Sequence, residues 1–408
     1  DYFPKSVRAT VLALYSAGIY LGSGAALIFG GAVIQYWEAH YTPATAPLGL
    51  TGWQATYLAF GIPGIFLAIL MWFTVREPVR GAIDGLPTPG DPNPIKSVMG
   101  EFAAMLPPWN WRGFQRLDAT GQTLRRNAVL LLLVCLAAIM ITSGTDSLLD
   151  PAKRAAVGQL GDFAITTNMV QWAALAIGVY CVGSWVQTIR LRDPASYALM
   201  ANPGFIGLTI AGGLMSYISY GLSPFLFLYA KQQFGVGAES GLTLGLITAI
   251  GGGLGATFGG IFGDWLRRHH AGGRMIVMLI AAIGSAVTIY ASYAVTSLNA
   301  FYAFAAINIF IHIMWLGPCA ATVQDLVLPR MRGTATAVFF LGTTILGLGL
   351  GPYLTGLVSD VTGDLRIALM STMIVVPLIL VAIVTALRTV PNLEKNLLDR
   401  ARAAGEPV

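Results

Sequence analysis

The chain has 408 residues, 55% of them hydrophobic and only 11% charged, with a formal net charge of +5. A soluble domain carries about 25% charged residues, so a soluble globular protein is excluded. The excess positive charge falls on one side of the pattern described next, so it argues for a membrane orientation and not for a nucleic-acid partner.

Apolar stretches long enough to cross a hydrocarbon core, about 20 residues for about 30 Å, recur ten times. In chain order they cover 8–35, 53–75, 127–147, 166–189, 204–230, 240–263, 275–296, 298–323, 333–358 and 366–388. The expected fold class is an all-α polytopic membrane protein. If the residues before the first span lie inside, only Lys153, Arg154, Lys231 and Arg366 of the 24 lysines and arginines fall outside. That asymmetry is what the positive-inside rule requires, and a miscount of one span would scramble it. It puts residue 1, the segment 76–126 and the C-terminus on the cytoplasmic side, with a bacterial inner (plasma) membrane as the expected location.

Span 1 opens with Arg8-Ala9-Thr10-Val11-Leu12-Ala13-Leu14-Tyr15, with Pro4 just upstream. Span 9 opens with Arg332-Gly333-Thr334-Ala335-Thr336-Ala337-Val338-Phe339, with Pro329 just upstream. Gly18 and Gly342 each stand ten residues past their arginine. Spans 1 and 2 therefore read as the closing pair of one half, and spans 9 and 10 as the closing pair of another. Four spans precede the second pair in its half and none precedes the first. With Asp rather than Met at residue 1, the expectation is an N-terminally truncated chain, ten spans of about fourteen. The expected divisions are 1–75 for the last two helices of the N-terminal half and 76–126 for a cytoplasmic linker. An inserted helix pair follows at 127–192, then a six-helix C-terminal half at 193–390 and a tail at 391–408.

The linker spaces Ile95, Val98, Met99, Phe102, Met105 and Leu106 as one helical face, with Trp109 and Trp111 just beyond. Such a helix either lies on the inner membrane face or docks on the protein. Span 5 carries Ser216, Tyr217 and Tyr220 ahead of Pro224, a breaker of the kind found in helices that line a midplane cavity. Span 6 spaces Gly251, Gly255, Gly259 and Gly263 four apart, one face along which another backbone can approach closely. That face serves either static packing or a surface that rocks against the other half. Asp264 ends the span, an edge carboxylate that needs a partner. Span 8 holds His312, the sole histidine within a span, with Asn308 one turn earlier and Trp315 beyond. The histidine is either a proton or substrate group or a buried, bonded one. Tyr15 is a weaker cavity candidate.

Gly260-Ile261-Phe262-Gly263-Asp264-Trp265-Leu266-Arg267-Arg268, between spans 6 and 7, resembles the Gly-x-x-x-Asp-x-x-Gly-Arg loop of the major facilitator superfamily, with Arg267 in place of the second glycine. Two six-helix halves related as parallel repeats are that family's architecture. Within it the chain is most similar to spinster-like lipid transporters, through Asp1-Tyr2-Phe3-Pro4, Arg76-Glu77-Pro78-Val79-Arg80-Gly81 and the run from Gly349 to Asp360. The resemblance implies a secondary transporter working by alternating access. Its cargo would be a small amphiphilic or organic-anion solute of lysolipid or sphingoid type, or a drug or organic acid, with a proton or ion as a coupling partner and membrane lipids around it. It further implies that Asp264 faces the start of span 1 near Arg8 as a gate latch, with Arg267, Arg268 and Arg332 in the same gating set. A non-transporting receptor is the reading from another class. No catalytic residues, metal or cofactor are expected: Cys135, Cys181 and Cys319 read as packing residues, and no Gly-rich phosphate loop with lysine is present.

Overall fold

The computed structural model describes residues 2–407 apart from 43, 77, 80, 88–91, 119–120, 150–153, 155, 162 and 238–239. Asp1, Glu77, Arg80 and Lys153, named above, lie outside the described residues. Among the described residues, ten helical stretches are long and apolar enough to cross a membrane: Lys5–His40, Gly52–Thr74, Gln122–Leu148, Thr167–Arg192, Pro203–Phe234, Ser240–His269, Gly273–Ala294, Leu298–Asp325, Pro329–Thr362 and Leu365–Lys395. They are spans 1 to 10, each lying over its predicted stretch. The chain is an integral multi-pass membrane protein.

Several spans depart from a regular helix where the sequence removes a backbone donor or a side chain. In span 5 the helix Pro203–Leu222 gives way to a tight 3-10 turn at Ser223–Phe225, around Pro224. Spans 6 and 9 each contain a wide π turn, Ile247–Gly251 and Thr344–Gly349. Span 8 breaks between Ile313 and Leu316. Such irregularities are frequent at functional sites.

By compactness the chain groups into two units. One contains residues 1–88 and 225–321, the other 89–224 and 322–408. In the first unit, span 6 is a hub with two small-residue faces. Gly251, Gly255, Gly259 and Gly263 lie against Ala306, Phe310, Met314 and Pro318 of span 8, so both helices contribute a row of four-residue spacing. A Cβ on Gly255 would stand 2.2 Å from the Phe310 carbonyl oxygen, and one on Gly259 2.3 Å from that of Met314. The adjacent face meets span 1: a Cβ on Gly260 would be 2.4 Å from that of Ala13, and one on Gly245 3.0 Å from the Gly24 oxygen. The predicted stripe thus packs on span 8, and the face one residue further round meets span 1, because successive residues step about 100° around a helix.

In the second unit, span 5 is the hub. Gly207 abuts the Ala382 carbonyl of span 10, and Gly213 abuts Leu346 and Gly342 of span 9. Spans 3 and 4, the inserted pair, are joined by a two-stranded antiparallel hairpin, β1 (Ala156–Leu160) with β2 (Phe163–Thr166). Nothing in the apolar pattern foretold these strands.

The linker forms two helices, Pro94–Ala103 and Trp109–Leu117. Both dock on the inserted pair through polar side chains. Asn110 donates to Tyr180 Oη (2.9 Å) and Ser184 Oγ (2.7 Å), and Trp111 Nε1 donates to Asn127 Oδ1 (2.9 Å). Trp185 Nε1 donates to Glu101 Oε2 at 2.6 Å. The first linker helix therefore docks on its polar side, and its apolar face of Ile95, Val98, Met99 and Phe102 stays exposed.

Candidate functional site

Asp264, 3% exposed, is the centre of a buried knot in the first unit. Its Oδ2 accepts from the backbone N–H of Thr10 (2.8 Å) and from Thr10 Oγ1 (2.9 Å). Its Oδ1 accepts from Arg274 Nε (3.0 Å) and Nη2 (2.6 Å), and the same Nη2 donates to the Lys5 carbonyl at 3.1 Å. Thr10 lies in the first turn of span 1, where unbonded N–H groups and the helix dipole favour an anion. Burying two charges is tolerable because donors meet both carboxylate oxygens. The knot ties span 1 to spans 6 and 7.

The expected cation for Asp264 was Arg8, and this is corrected. Arg8 Nη2 lies 3.3 Å from both oxygens of Asp84. Arg8 stands two residues before Thr10, about 200° around the helix, so it leaves on the opposite side when Thr10 faces Asp264. Arg274 was counted only as a loop cation. The signal missed was its place at the edge of an apolar run directly after Gly272-Gly273, where an arginine needs a partner.

Arg267 replaces the glycine of the motif without strain because the helix of span 6 runs on to His269. The close turn is made by Gly273, where a Cβ would come within 2.4 Å of Arg267 N. Arg267 is half-buried and Arg268 exposed. Arg332 is half-buried at the first position of its helix, as Arg8 is of its own. Each follows a single 3-10 turn, Pro329–Met331 and Lys5–Val7, so the sequence repeat is also a repeat of local structure.

His312 and Asn308 are buried between spans 7 and 8. Ser285 Oγ donates its one proton to the Ala281 carbonyl (2.6 Å), so His312 Nδ1–H is the donor in the 2.8 Å contact with Ser285 Oγ. Asn308 Nδ2 donates to Thr288 Oγ1 at 2.8 Å. Trp315, beside the break in span 8, is also buried, and its Nε1 has no hydrogen-bond partner among the described residues. A buried donor left unbonded costs about 1–3 kcal/mol, which makes Trp315 the cavity candidate with a donor to offer. Tyr15 is 81% exposed on span 1.

Ser216 and Tyr217 are buried, whereas Tyr220 is 43% exposed. Both tyrosines lie against span 9, Tyr220 at Gly347 and the Tyr217 carbonyl at Gly351. Ser216 is pressed against Gly347, whose Cβ would lie 2.5 Å from that of Ser216, and the Tyr217 carbonyl abuts Gly351. The close approach of spans 5 and 9, allowed by glycine, takes up the serine and the tyrosine backbone.

Two further polar clusters in the second unit were not foreseen. Tyr353 of span 9 accepts from Trp172 Nε1 (3.0 Å) and donates to Asn168 Oδ1 (2.6 Å), while Gln171 Nε2 donates to the Gly349 carbonyl (2.8 Å) at the end of the π turn. These bonds fasten the inserted pair to span 9. Tyr353→Phe is expected to cost about 1–2 kcal/mol and to speed hydrogen exchange in spans 3 and 4; unchanged exchange would remove Tyr353 as the fastener. In the other cluster Arg330 holds Asp193 (Nη1–Oδ2 2.8 Å) and Glu406. Burial alone would raise the Asp193 carboxyl, but bonds from Arg330 and Ser196 outweigh it and hold it near 2, against an ordinary 3.8. A depressed carboxyl contributes stability above its ordinary value and loses it only as the pH falls toward 2, so this contact is insensitive to pH near neutrality.

A sequence model described as Major Facilitator Superfamily matches residues 1–201. An "MFS-type efflux pump" of Mycolicibacterium smegmatis (strain ATCC 700084 / mc(2)155) is 28% identical over 170 residues, 41% of this chain and 39% of that protein. The chain thus matches about two fifths of the length of this curated relative. Crystal structures of a bacterial homolog of the human lysosomal transporter Spinster are 15% identical. The inward-facing, unoccupied form covers 98% of this chain and 99% of that one, with a TM-score of 0.39. The occupied form covers 98% and 86%, with a TM-score of 0.38.

Proposed function

We propose that the chain, whose residues 1–201 match the major facilitator superfamily, works as a secondary active transporter by alternating access. The observation that carries this reading is the Asp264–Arg274–Thr10 knot. It closes one end of spans 1, 6 and 7 with directional bonds that can open without unwinding any helix. A polar latch over small-residue contacts supports two discrete arrangements better than a greasy interface does. Residues 1–75 act as the closing pair of one half and 193–390 as the other half. The loop charges support a cytoplasmic linker and C-terminus in an inner membrane.

The cargo we propose is a small amphiphilic or organic-anion solute of lysolipid type. Its support is the similarity of the Gly349–Asp360 run to spinster-like proteins and the buried, unbonded Trp315 donor beside a broken span. A drug or organic-acid carrier is the second reading, favoured by the relative named as an efflux pump. The test is flux in proteoliposomes of the full-length protein, offered a lysolipid, an organic acid and a cationic drug. Lysolipid flux alone supports the first reading and drug or acid flux the second. Specific binding with no flux of any solute would sink both in favour of a receptor.

His312 serves here as a structural bond and not as the coupling group. His312→Gln keeps a donor toward Ser285 and is expected to leave the pH profile of transport in place; a shift by a unit or more would return the proton role to it.

A further inference from the structure

We propose that the linker helices and the end of span 4 form a binding site for the headgroup of an anionic phospholipid, independent of whatever solute the protein moves. The helices Pro94–Ala103 and Trp109–Leu117 and the last turns of span 4 enclose an open cleft of about 380 Å³. Arg112 and Arg116, one turn apart on the second linker helix, face it together with Arg192, the last residue of span 4. Gly100 forms part of its wall: a Cβ there would meet the Arg192 guanidinium at 3.6 Å. Arg192 bonds Glu101 at 3.0 Å. Arg112 and Arg116 have no ion pair or hydrogen bond among the described residues, and both side chains are exposed. The carboxylates of these helices are engaged elsewhere, Glu101 with Trp185 and Arg192, and Asp118 as acceptor from the Thr123 amide. Among the described residues the cleft therefore holds two cations without counter-ions.

Position and shape narrow the anion to a lipid. Span 3 begins and span 4 ends here, and Asn110 and Trp111 bond to Asn127 and Tyr180 within those spans. The cleft thus sits at the level where phospholipid headgroups lie. Trp109 (57%) and Leu117 stand exposed at the cleft wall, whereas the face of Ile95, Val98, Met99 and Phe102 points away from it, on the far side of the first linker helix from Gly100 and Ala103. An arginine pair beside the exposed apolar side chains of Trp109 and Leu117 fits one molecule with a phosphate at one end and acyl chains at the other. Free phosphate would leave Trp109 and Leu117 uncovered.

The full-length chain in detergent is titrated with phosphatidylglycerol, with phosphatidylcholine of the same chains, and with inorganic phosphate. Retained lipid is read by native mass spectrometry and stability by the thermal midpoint. Phosphatidylglycerol is expected to be retained and to raise the midpoint, whereas the other two do neither. With about a fivefold effect per cation near a membrane surface, R112Q/R116Q should weaken phosphatidylglycerol retention roughly 10- to 30-fold. R112K/R116K, which keeps the charge, should hold it within about 3-fold. Equal retention of the two lipids, undiminished retention by R112Q/R116Q, or saturation by inorganic phosphate would each overturn the proposal.

Discussion

Asp264→Asn is expected to lower the thermal midpoint sharply and to reduce the transport rate at least tenfold, with substrate affinity changed far less. The substitution keeps the shape of the side chain but leaves Arg274, 1% exposed, as a buried cation without its anion. Removing one partner of such a pair costs about 3–5 kcal/mol, most of it the penalty of the orphaned charge. Asp264→Asn combined with Arg274→Met removes both charges, so stability should largely recover while the rate stays low. The two readouts then separate a fold contact from a latch. If the double variant recovers transport together with stability, the knot is only structural. Arg8→Met is the control: its partner is Asp84, so it should leave the Asp264 cluster in place.

The second large effect is expected at the crossing of spans 6 and 8. Gly259→Ala would put a methyl 2.3 Å from the Met314 oxygen, and Gly255→Ala one 2.2 Å from that of Phe310. Both obstacles are backbone, so the helices must part. Overpacking of this kind costs about 1–3 kcal/mol for each site, and Gly255→Ala/Gly259→Ala is expected to yield little folded protein in detergent by size-exclusion chromatography. Gly18→Ala meets nothing within 4 Å and should be neutral or stabilising by up to about 1 kcal/mol. A double variant that folds and runs like Gly18→Ala would show that span 8 does not lie against this stripe.

The spans, their number and the repeat were legible because each is written in many residues at once. Ten apolar runs, a lopsided set of loop charges and two matched helix starts all survive the loss of any single cue. The glycine stripe was legible as a contact but not as a partner: spacing tells which side of span 6 is bare, and only the fold tells that span 8 covers it while span 1 takes the next face. Asp264 was legible through its motif and its place at the edge of the apolar run. Its cation was not, because the choice between Arg8 and Arg274 turns on which way two side chains leave their helices. Tyr353 and Asn168 lie 185 residues apart, and no local pattern marks either as the other's partner. The hairpin β1–β2 was missed because a short polar connection carries no periodicity worth reading.

The bonds from Asn168, Gln171 and Trp172 to span 9 make the inserted pair an outrigger: any tilt of span 9 about Gly349–Tyr353 must carry spans 3 and 4 with it. Cys135 on span 3 is exposed and Cys319 buried. A thiol-reactive fluorophore would thus find a handle on the outrigger before reaching the core of span 8, and its signal would report the swing of span 9 from a position that touches neither the latch nor the glycine crossing.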